Sequence, residues 1–328
     1  MARRTIDSKA KFIAGAVEAT EGTNPGTLAQ LRTRNLEVTS YDGDSRRREY
    51  DGDDGRNNPT VKPNRHTSFS FDADFAGSGD PTVISALDEY LRMAGLARAP
   101  NATAGFDYLI SDPADVSSGT LMVRRKSGRD GANFGYVNYE SNGVRGYVGI
   151  VMAKGDDPMF QFRDMKGSYI RPAYTAENAE IVFAPDNQEY PEIFENGNVP
   201  EFKFGIPDGV GGFELRDVCL HECSIGNYSG LNASWRNAVN CAGSRVTATP
   251  IDFTAKIGWD DSFFELVESH QGIITIPFQM MHGTSAGNQL SIKSAKVQVH
   301  DLKETDIDGE LGMDLSCTFL DRPVLTIA

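Results

Sequence analysis

The clearest pattern in the chain has a period of two. Phe69, Phe71, Ala73 and Phe75 alternate with Ser68, Ser70, Asp72 and Asp74, which predicts a strand with one dry and one wet face. After Gly77-Ser78-Gly79-Asp80-Pro81 the period changes. Val83, Ile84, Leu87, Tyr90, Leu91 and Ala94 recur at helical spacing, and Gly95 stands where a helix ends. Further strand-like runs are 121–123, 136–139, 147–151 and 160–162, while 97–119 is looser. Between Asp42 and Asn58 the only apolar side chain is Tyr50, so that stretch predicts an exposed loop or protruding hairpin. Residues 1–30 are weakly patterned and read as an N-terminal arm.

The second half repeats this order. A strand at 213–218 leads into a polar stretch from Asn227 to Asn240. Ile251, Phe253, Ala255 and Ile257 then alternate with polar or small residues, a short helix opens at Asp260-Asp261-Ser262 and closes at Gly272, and strands follow at 273–278, 290–299 and 313–319. Arg65, Thr67, Asp72 and Asp80 match Arg245, Thr247, Asp252 and Asp260 at one constant spacing of 180 residues, with the phase of alternation preserved. The last strands align Phe160 and Phe162 with Met313 and Leu315. Shared order and phase predict a duplicated, mainly β chain of sandwich or barrel units, each with a short flanking helix. Its parts are an arm (1–30), a first β-domain (31–172) and a second (173–328).

Charge narrows the partners. The chain has 32 basic and 46 acidic residues, a net charge of −14, and a surface of that sign repels nucleic-acid backbones and anionic lipid. The start of the sequence lacks the apolar stretch of a signal peptide, and no apolar run has the length needed to span a bilayer, which predicts a soluble protein without membrane partners.

The chemistry-bearing residues do not form a catalytic set. Cys219, His221 and Cys223 would share one face of a regular strand and bring three zinc-competent ligands together, but no fourth ligand is visible; the plainer reading is a strand with semi-polar side chains, without a metal. Asp51-Gly52-Asp53-Asp54-Gly55 and Asp306-Ile307-Asp308-Gly309-Glu310 echo calcium loops without supplying their ligand order; Asp-Gly turns explain both. There is no HExxH, no GxSxG and no phosphate-cradling glycine loop before a helix. The expectation is no enzyme and no cofactor.

The chain resembles the tail tube (major tail) proteins of long-tailed, siphovirus-like bacteriophages, of the two-domain type. The resemblance rests on His282-Gly283-Thr284-Ser285-Ala286-Gly287-Asn288 before the strand to Val299, and on the terminal Leu315-Ser316-Cys317-Thr318-Phe319-Leu320. In the first half it rests on the acidic loop running into Arg65-His66-Thr67-Ser68-Phe69-Ser70-Phe71, on Asn142-Gly143-Val144-Arg145-Gly146, and on Lys166-Gly167-Ser168-Tyr169. It covers about 30–325 and departs at the arm and at the cysteine-bearing 219–223 strand. It implies a structural virion protein, made in a host cytoplasm, that self-assembles into stacked rings and so forms the conduit for DNA ejection. With two units per chain, the rings would be homotrimers of pseudo-sixfold symmetry. Implied partners are the chain itself, a tape-measure protein and tail terminator or distal tail proteins, with DNA as non-sticking cargo. On this reading Asp72, Asp74 and Asp252 face the lumen, and the loop bearing Arg46, Arg47, Arg48, Asp51, Asp53 and Asp54 contacts the adjacent ring. The competing reading is another virion or cell-surface β-sandwich module for capsid decoration or carbohydrate binding. Such a module would cluster its exposed aromatics, whereas Trp235 and Trp259 are far apart in sequence.

Overall fold

Alternating side chains and frequent turn residues give a mainly β structure. A computed structural model describes residues 9, 11–43, 45–47, 60–62, 64–130, 133–195, 198, 201–208, 212–238, 241–269 and 274–328. The first half contains β1 (Lys11–Val17), β2 (Ala29–Leu31), β3 (Thr33–Asp42), β4 (Arg46–Arg47), β5 (Thr60–Val61), β6 (His66–Asp74), α1 (Asp88–Met93), β7 (Leu96–Pro100), β8 (Phe106–Ile110), β9 (Gly119–Asp130), β10 (Asn133–Ala153), β11 (Met159–Ser168) and β12 (Ala173–Glu177). The second contains β13 (Glu201–Pro207), β14 (Phe213–Asp217), β15 (Leu220–Ile225), β16 (Leu231–Ala238), β17 (Cys241–Ala248), β18 (Ile251–Gly258), α2 (Asp261–Ser269), β19 (Ile274–His282), β20 (Leu290–Ile307), β21 (Glu310–Phe319) and β22 (Val324–Ile327).

The ladders of the two halves follow the same order. In the first half β3 pairs with β6, β6 with β11 and β11 with β10; in the second, β15 pairs with β18, β18 with β21 and β21 with β20. Strands β10 and β20 are long and pair beyond these ladders, β10 with β9, which pairs in turn with β1, and β20 with β19, which pairs in turn with β13. Ladder partners fix the alignment. Phe71 opposes Phe162 and Ala73 opposes Phe160, while Ile251 opposes Phe319 and Phe253 opposes Cys317. The last strands therefore align Phe160 with Cys317 and Phe162 with Phe319, four residues away from the alignment expected with Met313 and Leu315. An even shift leaves every side chain on its face, so alternation alone cannot detect it.

The core runs continuously through both halves. Phe71 stacks on Phe162 at 4.8 Å and meets the edge of Tyr90 from α1 at 5.8 Å; Phe253 lies 4.8 Å from Phe319, and Phe204 stacks on Phe263 of α2 at 5.3 Å. Helix α1 is shorter than its apolar period predicts. The residues before it form turns held by Ser78 and Asp80, and Gly95 at φ +95 closes the helix as expected.

Three expectations change. Within the 1–30 arm, Lys11–Val17 is a core strand whose Ile13 is fully buried; its run of small and apolar residues is covered on both faces, which erases the alternation a half-exposed strand would show. Runs 136–139 and 147–151 are one strand, β10, because Gly143 at φ +67 and two register shifts let it bend without ending. The polar stretch from Asn227 contains β16, which pairs with β17 as a hairpin and buries Leu231 and Ala233.

Candidate assembly surface

Two strands of different repeats meet edge to edge in the middle of the molecule. β10 pairs with β15 antiparallel, opposing Ile150 to Ile225, Val151 to Ser224, Met152 to Cys223 and Ala153 to Glu222. The result is an eight-stranded strip, β3–β6–β11–β10–β15–β18–β21–β20. Close approach matters here: a Cβ on Gly149 would stand 2.7 Å from the Gly226 carbonyl oxygen and 2.9 Å from that of Ile225. The amide of Tyr228 donates to the Val148 carbonyl at 2.7 Å, and the Tyr228 ring is fully buried.

The β16–β17 hairpin forms the second part of this joint. It crosses from the second repeat onto β10 and β11 of the first. Arg145 Nη1 donates to Ser244 Oγ at 2.7 Å, and Ser244 Oγ reaches the Gly143 carbonyl at 3.4 Å. Leu231 is 1% exposed and lies over Gly95, where an added Cβ would meet its Cδ1 at 2.0 Å. The Trp235 and His66 rings are 6.4 Å apart.

The two ends of the strip are the counterparts of the two strands paired in the middle. Among the described residues β3 pairs only with β6, and β20 from His300 onward pairs only with β21. Each free edge carries an irregularity absent from the four joint pairs. In β3, Asn35 at φ +49 sits in a register shift between Arg34 and Glu37; in β20, His300 is the extra residue between Val299 and Asp301. Such bulges blunt unpaired edges against indiscriminate pairing.

One face of the strip packs on the core and the other is polar. On the polar face Lys256 binds Glu222 at 2.8 Å, Lys303 binds Asp301 at 2.6 Å, and the exposed Asp252 accepts from Thr318 Oγ1 at 2.5 Å. Asp72 and Asp74 lie on this face but are only 3% and 2% exposed, which corrects the expectation of open carboxylates. Arg163 Nη2 donates to Asp72 Oδ1 at 2.5 Å and Asn35 Nδ2 to Oδ2 at 2.7 Å; Arg34 sits 3.2 Å from Asp74, and Arg34 also binds Asp157. Burial pushes the Asp74 carboxyl above its ordinary value, and Arg34 and Arg32 pull against that shift. Within the polar loop, Arg46 and Arg47 form β4 against β5; Arg48, Asp51, Asp53 and Asp54 lie outside the described residues.

The zinc geometry does not form. Cys219 is exposed and its Sγ lies 3.7 Å from His221 Nε2, but Cys223 is buried in the core. The register shift between Leu220 and Glu222 breaks the alternation that would have put all three on one face. No group of three metal-binding side chains occurs among the described residues. Burial pushes the Cys223 thiol up to about 12. Asp308 and Gly309 have φ +54 and +89 in a two-residue turn between β20 and β21, closed by the pair Ile307–Glu310, so this Asp-Gly segment is a hairpin turn. Among the described residues no helix is long and apolar enough to cross a membrane.

Sequence reasoning missed the joint. Its one readable signal was Gly149, where an added Cβ would meet the backbone of β15 and Gly226. No family model and no curated protein sequence matches this chain.

Proposed function

We propose that the chain is a structural subunit that assembles head to tail into closed rings, which stack into a tube of the phage-tail kind. The observation carrying this reading is the β10–β15 joint: the molecule already performs once, internally, the edge pairing that its free ends are equipped to perform between chains. A heterologous contact of this type repeats until the ring closes, and closure leaves no strand edge open. With two repeats per chain, three chains give a ring of six similar units. The polar face then lines the pore. Its carboxylates at Asp72 and Asp74 are held by arginines, and a chain of net charge −14 gives DNA little cationic surface to adhere to.

The test is an edge block. His300 is exposed and is the bulge residue of β20, so His300→Pro removes a donor from the free edge while leaving the β21 ladder its partners. Purified wild type should show rings or tubes with a central pore under negative stain, and the variant a folded monomer. Wild-type monomers at every concentration, or unchanged rings from the variant, would refute the reading.

A further inference from the structure

The connection from β14 into β15 carries chemistry that ring closure leaves idle. Asp217, Cys219 and His221 alternate along it, and Val218 and Leu220 between them pack on the core. The three polar residues line one cavity of about 820 Å³, whose apolar lining includes Phe194 and Phe202.

The bulge that sends Cys223 into the core leaves Cys219 and His221 outside as a pair, with Sγ 3.7 Å from Nε2. On one tetrahedral zinc ion, a sulfur at about 2.3 Å and a nitrogen at about 2.0 Å stand about 3.5 Å apart, so the pair already has nearly the spacing of two ligands. Its backbone is pinned from both repeats. The Gly258 amide donates to the Cys219 carbonyl and the Lys154 amide to the His221 carbonyl, each at 2.8 Å. No third donor touches the pair as the side chains stand. Asp217, its side chain 76% exposed, meets Lys203 at 3.6 Å and can turn to the pair from two residues away. The rim is acidic: Glu195 and Glu201 line the same cavity, and its Lys154 is engaged with Asp308.

We propose that Cys219, His221 and Asp217 bind one divalent cation of the zinc class, with the fourth position left to water. A thiolate, an imidazole nitrogen and a carboxylate are donors that such an ion accepts, whereas magnesium and calcium prefer oxygen alone. Binding releases the Cys219 proton to solvent. The buried Cys223 takes no part. The site lies within one chain, where the two repeats meet, and stands independently of assembly into rings.

Cobalt(II) titration of the untagged, reduced full-length protein tests the site. One equivalent of cobalt should give a thiolate-to-metal charge-transfer band that zinc removes, and saturating zinc should slow maleimide labelling of Cys219. Cys219→Ser should lose the band. His221→Ala and Asp217→Asn should each shift the titration to higher cobalt, while Cys241→Ser, which changes the thiol of β17, should leave it unchanged. Cys219 is exposed and His221 half-buried, so metal-free variants should keep the wild-type urea midpoint, which separates loss of a ligand from loss of the fold. The proposal is overturned by the absence of a band at saturating cobalt, by a band that survives Cys219→Ser, or by a titration that either His221→Ala or Asp217→Asn leaves unchanged.

Discussion

Adding one methyl group at Gly149 tests whether the two repeats are locked by the β10–β15 joint. In Gly149→Ala the new carbon stands 2.7 Å from the Gly226 oxygen and 2.9 Å from the Ile225 oxygen. Both are backbone atoms, so neither can swing aside as a long side chain would. The end of β15 must move out, and the first ladder pair to suffer is Ile150–Ile225, whose side chains are both fully buried. Overpacking of this kind costs about 1–3 kcal/mol and each backbone hydrogen bond opened about 1 kcal/mol, so the expected loss is about 2–5 kcal/mol. The control is Gly226→Ala, which adds its methyl into open space and should stay within about 0.5 kcal/mol of wild type. Urea unfolding in a Trp259→Phe background leaves Trp235 as the fluorophore, and Trp235 reports the joint through its place beside His66. A Gly149→Ala midpoint indistinguishable from that of Gly226→Ala would refute the claim that this close approach holds the repeats together.

Three further outcomes follow from the same geometry. Leu231→Ala should cost about 2–5 kcal/mol in urea unfolding, because a side chain of the second repeat that is 1% exposed is deleted over Gly95 of the first; a loss under about 1 kcal/mol would show the hairpin to be peripheral. His282 donates from Nε2 to the Glu192 carbonyl at 2.7 Å, its Nδ1 is buried without a partner, and burial lowers its pKa below the ordinary value near 6.5. The unfolded chain then binds the proton more readily, so stability is full above about pH 6.5 and falls as pH drops toward the lowered folded value; His282→Gln should remove that dependence between pH 7.5 and 5, and an unchanged slope would contradict it. Thiol labelling of the native protein should modify Cys219 rapidly and leave Cys223 and Cys317 untouched until denaturant is added, since both are fully buried with thiols raised by burial.

The parts legible in the sequence were those written in short periods. The strand at Phe69–Phe75, the Gly95 stop and the Asp308–Gly309 turn are local patterns, and each is matched by an element of the structure. What escaped depends on residues far apart in the chain. Asp72 and Asp74 read as wet because their own strand alternates; Arg163, 91 residues from Asp72, and Arg34 cover them. Lys11–Val17 read as an arm because a strand covered on both sides loses its alternation. The joint was invisible because β15 and β16 carry semi-polar residues whose burial is decided by the first repeat, not by their own neighbours.

The most direct test of the account is a cryo-electron microscopy reconstruction of the purified full-length protein after assembly. The account predicts closed rings in which the Thr33 end of β3 in one chain lies beside β20 near Val299 of the next, with the polar face bearing Asp252 and Lys256 turned to the pore and both repeats lining it. A reconstruction in which the chain stays monomeric, or in which only one repeat of each chain lines the pore, would contradict it.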